Sequence, residues 1–390
     1  MKAPTLAGLE RDFQRDVWCF LGLPFDVETV ETACAFVEEA VASREQAVIA
    51  TPNVNWVTLA FREPPMQEAT LQSDLSLMDG QPLVWMARWI GLPFRTTASG
   101  STLIDHFLKT RLHRGYRLFF LGGKRGVAEE AVQHVNRLGC KTSAVGGLNP
   151  GYGSIQEMSR RDVLSGINAS RCDLLLVALG VQRGVLWIEK NHVSLNAAVI
   201  SPIGSGVNLI AGRLKRAPRW MQQAGLEWFW RILHEPFLLQ RYLKDGLIFL
   251  YLLCRYLLPL AGFRLFFKRR SSEAPQIHVE EGEDVLRIRI KGVCDENSRP
   301  LMREVFRDWA RKEKDLLIDF SETIFVDASF LGFLLLLWKY QKIHQKGLTL
   351  IHLSAPLRLF LHLNLLDRLF KGTAVSEELE AAWTGPSFFP

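Results

Sequence analysis

The stretch LFFLGGKRGVAEEA, residues 118–131, runs from an unbroken apolar segment through three glycines into a charged, alanine-bearing segment. An apolar run without polar alternation suits a strand covered on both faces. The glycines suit a tight turn, and the residues after them are good helix formers. Three further runs share this character: AVIAT from residue 47, DLLLVALG from 173 and AAVISPIG from 197. Each ends in glycine or turn residues, and helical segments separate them. This strand–helix alternation predicts a doubly wound, Rossmann-like α/β domain with a parallel sheet. In such a fold the ligand lies at the carboxyl ends of the strands, where these turns fall.

The turn itself is a candidate site. Gly122, Gly123 and Gly126 leave the backbone amides at the following helix N-terminus free of side-chain bulk, which suits a diphosphate. The spacing is GGxxG rather than GxGxxG, so a nucleotide-diphosphate site is the better reading than a nicotinamide dinucleotide site. No DxD occurs in the chain, so a carboxylate-held divalent metal is not signalled. Charge on a leaving diphosphate would then be met by amides and arginines.

Two shorter motifs also fall at strand ends. TPNVNW, 51–56, follows AVIA and brings Thr51, Asn53 and Asn55, neutral donors and acceptors of the kind that recognise sugars and uracil. The same trio also fits a capping and turn cluster. In LMDGQPLVW, 77–85, a single carboxylate, Asp79, lies among apolar residues and a glycine. Such a group is costly to bury unless it is hydrogen-bonded, paired or used, so it marks either a turn or an active site.

The chain has 390 residues, 48% of them hydrophobic and 23% charged, with a formal charge of +6. That is globular composition for two or three domains. Six scattered cysteines without a CxxC pair fit a reducing cytosol. The charged N-terminus MKAPTLAGLERDFQRDVW is not the apolar run of a signal peptide. The positive charge admits nucleic acid, anionic lipid or phosphate-bearing ligands.

Between 213 and 270 the character changes. Arg213, Lys215, Arg216, Arg219, Arg231 and Arg241 stand among tryptophans, phenylalanines and leucines, and acids nearly vanish. The basic run suits either phosphate binding or a solvated, lipid-facing surface. Residues 246–267 approach a transmembrane span, but Arg255 and Arg264 interrupt them and Pro259 is expected to break the helix. A segment lying in the interface fits better, with Lys268, Arg269 and Arg270 towards anionic lipid. Basic residues placed among leucines and tryptophans argue against DNA. After a linker at 271–276 the strand–helix pattern resumes, and predicts a separate small α/β domain over 277–390.

Taken in order, TPNVNW, MDG, FLGGKRGVAEEA, DLLLVALG and RAPRWMQQAGLEWFWRILHEPFLLQRYL resemble the WecG/TagA/CpsF glycosyltransferases over about residues 15–245. The resemblance implies an inverting, metal-independent hexosyltransferase with no cofactor, moving a sugar from a UDP donor to a polyprenyl-diphosphate-linked saccharide at the cytoplasmic membrane face. It implies Asp79 as general base, with Thr51 and Asn53 beside it. Arg95, the three glycines, Gln182 and Asn208 stand at substrate-binding positions. Arg216, Arg219, Arg231 and Arg241 would engage the acceptor diphosphate. The chain departs from the family where QRGV, 182–185, puts Gly184 and Val185 in place of a Gln-Glu pair. Further departures are Val207 and Asn208 in place of Phe-Asp, Ser99-Gly100-Ser101 in place of SDL after the family's arginine, and Leu238 in place of an arginine.

The segment DLLIDFSETIFVDASFLGFLLLL resembles the STAS fold over about residues 277–372. Asp327 is followed by Ala328 and then Ser329, whereas phospho-switch members carry serine directly after the aspartate. A protein-docking or nucleotide-sensing module is therefore expected, with Asp327 and Ser329 as its candidate regulatory residues. The function expected is a membrane-associated glycosyltransferase of bacterial surface or exopolysaccharide synthesis, tied to a protein partner through STAS. The alternative is a catalytically lapsed homologue retained as a regulatory scaffold. The domains expected are 1–212, a membrane-associating appendage at 213–270, the linker and 277–390.

Overall fold

The computed structural model of the chain describes residues 6–109, 115–267 and 275–370. Two compact units emerge. One comprises residues 23–255; the other joins residues 1–22 to residues 256–390. The chain's N-terminal segment is thus part of the C-terminal unit, whereas the sequence pattern groups it with the first domain, 1–212.

In the first unit a six-stranded parallel sheet runs, in spatial order, Leu75–Ser76, Ala47–Ala50, Val199–Pro202, Leu174–Ala178, Arg117–Gly122, Ser143–Leu148. The four strands expected from apolar runs are all present. Alternation explains why those runs are apolar throughout: Leu174 and Leu176 join the core on one face of the sheet, Leu175 and Val177 the core on the other. Each face is roofed by helices, so neither set of side chains meets water. The strands Leu75–Ser76 and Ser143–Leu148 escaped the sequence reading. One is two residues long, and the other, SAVGGL, carries glycines where apolar bulk would signal a strand.

The carboxyl edge of this sheet carries the motif turns. Gly122 has φ +100°, and a Cβ there would lie 2.7 Å from the carbonyl oxygen of Ala178. Only glycine lets the turn close so tightly against the neighbouring strand, and the amide of Gly123 bonds that same oxygen at 2.8 Å.

One continuous helix, Pro236–Leu265, is long and apolar enough to cross a membrane by length and composition. Pro259 does not break it. A π-helical turn at Leu253–Leu257 precedes the proline, which accommodates the carbonyl left without its usual donor. Lys268, Arg269 and Arg270 lie outside the described residues.

In the second unit the strands Thr323–Val326, Val285–Cys294, Asp315–Asp319 and Leu348–Ile351 lie parallel in that order, with Gln276–Glu281 antiparallel to Val285–Cys294. The helix Ala328–His344 is buried along most of its length.

Candidate active site

Asp79 sits where two chain segments run side by side. Its amide bonds the carbonyl of Pro52 at 3.0 Å, and Leu77 N–H bonds Ala50 at 2.8 Å, so MDG extends along the end of the strand that leads into Thr51. Gly80 follows at φ +113° and begins the helix Gln81–Trp89. Asp79 is half-buried. Burial pushes its carboxyl up to about 7; Arg231 pulls it down, Glu227 pushes it up and Arg216 pulls it down. Desolvation is the largest of these influences.

Those arginines are wired to hydroxyls and carboxylates. Arg231 Nη1 donates to Ser205 Oγ at 2.7 Å. Arg216 Nη2 donates to Thr102 Oγ1 at 2.8 Å, and Arg216 lies 3.5 Å from Asp105 and 3.9 Å from Glu227. Ser99 Oγ lies 3.0 Å from Ser101 Oγ and 2.8 Å from Thr102 Oγ1. A Cβ on Gly100 would come within 3.8 Å of the Thr51 side chain. The segment Ser99–Thr102 is therefore a hydroxyl cluster packed against Thr51. Arg216, Glu227 and Arg231 also line one cavity with Trp230, His234 and Glu235. Glu227, Ser205 and Thr102 were missed from sequence; glutamate in GLEW was the visible signal.

Other expected residues are placed differently. Asn53 caps the helix Val54–Arg62, accepting from Trp56 N–H at 3.1 Å. Asn55 does not serve the sheet edge: its Nδ2 donates to Asp245 Oδ2 at 2.9 Å, and Thr58 Oγ1 donates to the other oxygen at 3.1 Å. Asp245, 4% exposed, is an acid inside the apolar helix. These two neutral donors satisfy it and hold that helix to Val54–Arg62.

Gly123 O accepts from Asn149 Nδ2 at 2.9 Å and from Tyr152 OH at 3.3 Å. Gly126, φ +83°, begins the helix Val127–Arg137. Arg213 bonds Glu130 of that helix, Nη2 to Oε1 at 2.6 Å. Asn208 accepts through its backbone carbonyl from the amides of Arg213, at 2.9 Å, and Leu214, at 3.1 Å. Gln182 is exposed and bonds Glu63, while Gly184 and Val185 are buried and offer no polar side-chain atom. Arg95 is exposed. Arg241 is exposed and lies over the Tyr242 ring at 5.2 Å, rather than joining the groups around Asp79. Arg219 begins the helix Arg219–Gln223, and its side chain lies outside the described residues. Among the described residues, no group of three or more His, Cys, Asp or Glu side chains is placed to hold a metal.

In the second unit Asp327 caps the helix Ala328–His344, accepting from Ser329 N–H at 2.9 Å, Phe330 N–H at 3.0 Å and Ser329 Oγ at 2.6 Å. Ser329 is 1% exposed. The Ser329 hydroxyl is thus enclosed and engaged with the capping carboxylate. A second buried acid, Asp319, was missed. Burial pulls its carboxyl up, but the Ser321 amide, His352 and Arg289 hold it below the usual range.

Comparison with known proteins follows the same division. Residues 18–262 match the model of the "Glycosyl transferase WecG/TagA/CpsF family", and residues 277–371 that of "Mlab, STAS domain". An N-acetylglucosaminyldiphosphoundecaprenol N-acetyl-beta-D-mannosaminyltransferase of Bacillus spizizenii is 30% identical over 190 residues, 48% of this chain and 71% of that protein. Proteins of the same description from Bacillus subtilis and Staphylococcus aureus are 26% and 25% identical, covering 75% and 89% of their own lengths and 51% and 59% of this chain. Among solved structures, an anti-sigma factor antagonist from Mycobacterium paratuberculosis aligns over 29% of this chain and 97% of its own, at 20% identity and a TM-score of 0.25.

Proposed function

Because the chain belongs to the WecG/TagA/CpsF family of glycosyl transferases, we propose that it moves a hexose-type sugar from a UDP-sugar to a polyprenyl-diphosphate-linked saccharide. The carrying observation is a half-buried carboxyl, Asp79, whose pKa lies near neutrality and which two arginines face. The acceptor class rests on the names of the relatives, which act on an undecaprenyl-diphosphate-linked sugar.

In the step proposed, the acceptor hydroxyl oxygen attacks the anomeric carbon of the donor. Its proton passes to Asp79, and the bond from that carbon to the diphosphate oxygen breaks with both electrons on the leaving UDP. Attack opposite the leaving group inverts the anomeric centre. Amides of the turn Gly122–Gly126 meet the departing charge, and Arg216 and Arg231 hold the acceptor diphosphate. These groups supply the counter-charge without a metal.

A lapsed, scaffold-like homologue is the second reading, favoured by the burial of Gly184 and Val185 and by the engagement of Gln182 with Glu63. A radiolabelled transfer assay with a panel of UDP-hexoses and short-chain polyprenyl-diphosphate saccharides separates the two. Transfer that persists in chelator is expected. Transfer that chelator abolishes would overturn the metal-free step, and UDP binding without any transfer would favour the scaffold.

The exposed side of the apolar helix supports a membrane location, which we place at the cytoplasmic face. Leu239, Leu243, Leu247 and Leu250 recur at three- and four-residue spacing, and all four are exposed, Leu247 by 69%. They form one stripe, beside the exposed aromatics Trp228, Phe229 and Phe237. A helix with one bare apolar side suits the interface plane. Leu243→Asp with Leu247→Asp removes two buried leucines from the lipid-bound state. At about 1.5–3 kcal/mol each, membrane partitioning is expected to fall by about 10²-fold or more. Vesicle co-sedimentation reads this, and unchanged recovery would sink the assignment.

A further inference from the structure

The helix Ala328–His344 is apolar on every side in its FLGFLLLLW portion, so a sheet on one side leaves the other needing cover. The chain's own N-terminal segment supplies it. At Gly332 the backbone of Val17 comes so close that a Cβ would lie 2.3 Å from the Val17 carbonyl oxygen. Farther along, Lys339 Nζ and Tyr340 OH both donate to Asp12 Oδ2 at 2.9 Å, and the Phe13 ring stacks on Tyr340 at 5.7 Å.

The neighbouring helix Arg299–Arg311 carries Arg299, Arg303, Arg307 and Arg311, one every four residues and hence along one face. Arg299 pairs with Asp16 and lies over the Trp18 ring at 5.1 Å. Arg307 lies 3.4 Å from Glu10, which Arg311 also engages. Glu10 and Asp16 of the segment LERDFQRDVW therefore meet a ladder of arginines, while Phe13 packs on Tyr340 and Trp18 on Arg299. Three nitrogens of this ladder, Arg299 Nη1, Arg303 Nε and Arg307 Nε, are buried without a hydrogen-bond partner among the described residues. The ladder thus has more hydrogen-bond donor capacity than its present occupant uses.

We propose that this face of the STAS unit is a docking surface for an acidic helix-then-strand segment with aromatic anchors. Residues 6–20, the helix Leu6–Gln14 followed by the strand Val17–Phe20, occupy it in cis, so a protein partner of the same pattern docks only by displacing them. The proposal rests on the geometry of this unit and stands apart from the transfer reaction. A tethered occupant competes at an effective concentration of about millimolar, which sets a threshold for any outside ligand.

The test uses full-length protein and a fluorescent synthetic peptide of residues 6–20, followed by anisotropy. The wild-type chain is expected to bind the peptide weakly. Full-length Glu10→Arg/Asp16→Arg, with its own segment loosened, is expected to bind it at least tenfold more tightly. A peptide carrying both of those changes is expected not to bind either protein. Hydrogen exchange across Ala328–His344 establishes whether the variant is folded. In parallel, triple reversal with Glu10→Arg, Arg307→Glu and Arg311→Glu is expected to restore amide protection of residues 8–14 that Glu10→Arg alone lowers about tenfold. Equal peptide binding by wild type and folded variant would overturn the proposal, as would protection that the reversal fails to restore. Subunit exchange of residues 6–20 between wild-type copies would overturn the cis assignment. If the peptide-binding variant does not fold, the reversal series decides.

Discussion

Replacing Asp79 with asparagine is expected to lower sugar transfer by about 10²- to 10⁴-fold, the range that a positioned general base contributes, and to leave the fold intact. Asparagine keeps the shape and removes the proton acceptor. The pH profile supplies the second half of the expectation. A base must be deprotonated to act, and burial holds the Asp79 carboxyl at about 7. With Asp79 as the base, kcat/KM of the wild-type chain is therefore expected to rise tenfold per pH unit below about 7 and to level above it.

Stability moves the opposite way. The unfolded chain ionises Asp79 near the ordinary carboxylate value, while the folded chain holds its proton up to about 7. Folding thus loses stability as pH rises between those two values, by an amount on the order of a few kcal/mol at neutral pH. Asp79→Asn removes that penalty, so the variant is expected to be at least as resistant to denaturant at pH 8 as the wild type, and inactive. A variant that loses stability together with activity would show that Asp79 is a structural carboxylate rather than a base.

The second large effect falls on Asp12. This acid is 2% exposed and lies among Arg15 at 3.0 Å, Lys339 at 2.9 Å and Tyr340 OH at 2.9 Å. Burial pulls its carboxyl up, and Lys339 and Arg15 hold it below the usual range. Asp12→Leu removes the carboxylate that two enclosed cations share, which is expected to cost about 3–5 kcal/mol, as for other broken buried pairs. Lys339→Met costs less, because Asp12 keeps Arg15 and the Tyr340 hydroxyl. Combining the two is expected to cost less than the sum of the singles, since each removes the charge the other strands. Hydrogen exchange of Ala328–His344 under native conditions isolates this unit from the transferase, whose separate unfolding would blur a single denaturation curve. Additive single effects would mean that Asp12 and Lys339 do not act as a pair.

Much of the architecture was readable one segment at a time. Four of the six strands of the transferase sheet announced themselves as apolar runs ending in glycine or turn residues, because a strand roofed on both faces has no polar side. The glycine turn was readable for the same local reason: a tight closure over Ala178 admits no Cβ. Asp79 was visible because an isolated acid among apolar neighbours needs a use. What burial would do to its carboxyl could be expected in direction; which cations face it could not.

The pairings between distant residues were decided by tertiary structure alone. Arg231 reaches the neighbourhood of Asp79 from more than a hundred residues away, along with Arg216 and Glu227 from the same appendage. Asn55 looked like a sugar-binding amide and is instead the partner of Asp245, which no local pattern links to it. Ser329, a candidate regulatory residue by its place two after Asp327, is enclosed. The N-terminal segment looked like the start of the transferase, yet its acids and aromatics belong to the far end of the chain. Periodicity and turn chemistry act over a few residues and so are written in the sequence by itself. The choice of partner for a buried charge is made only when the folded chain brings together groups that sequence keeps far apart.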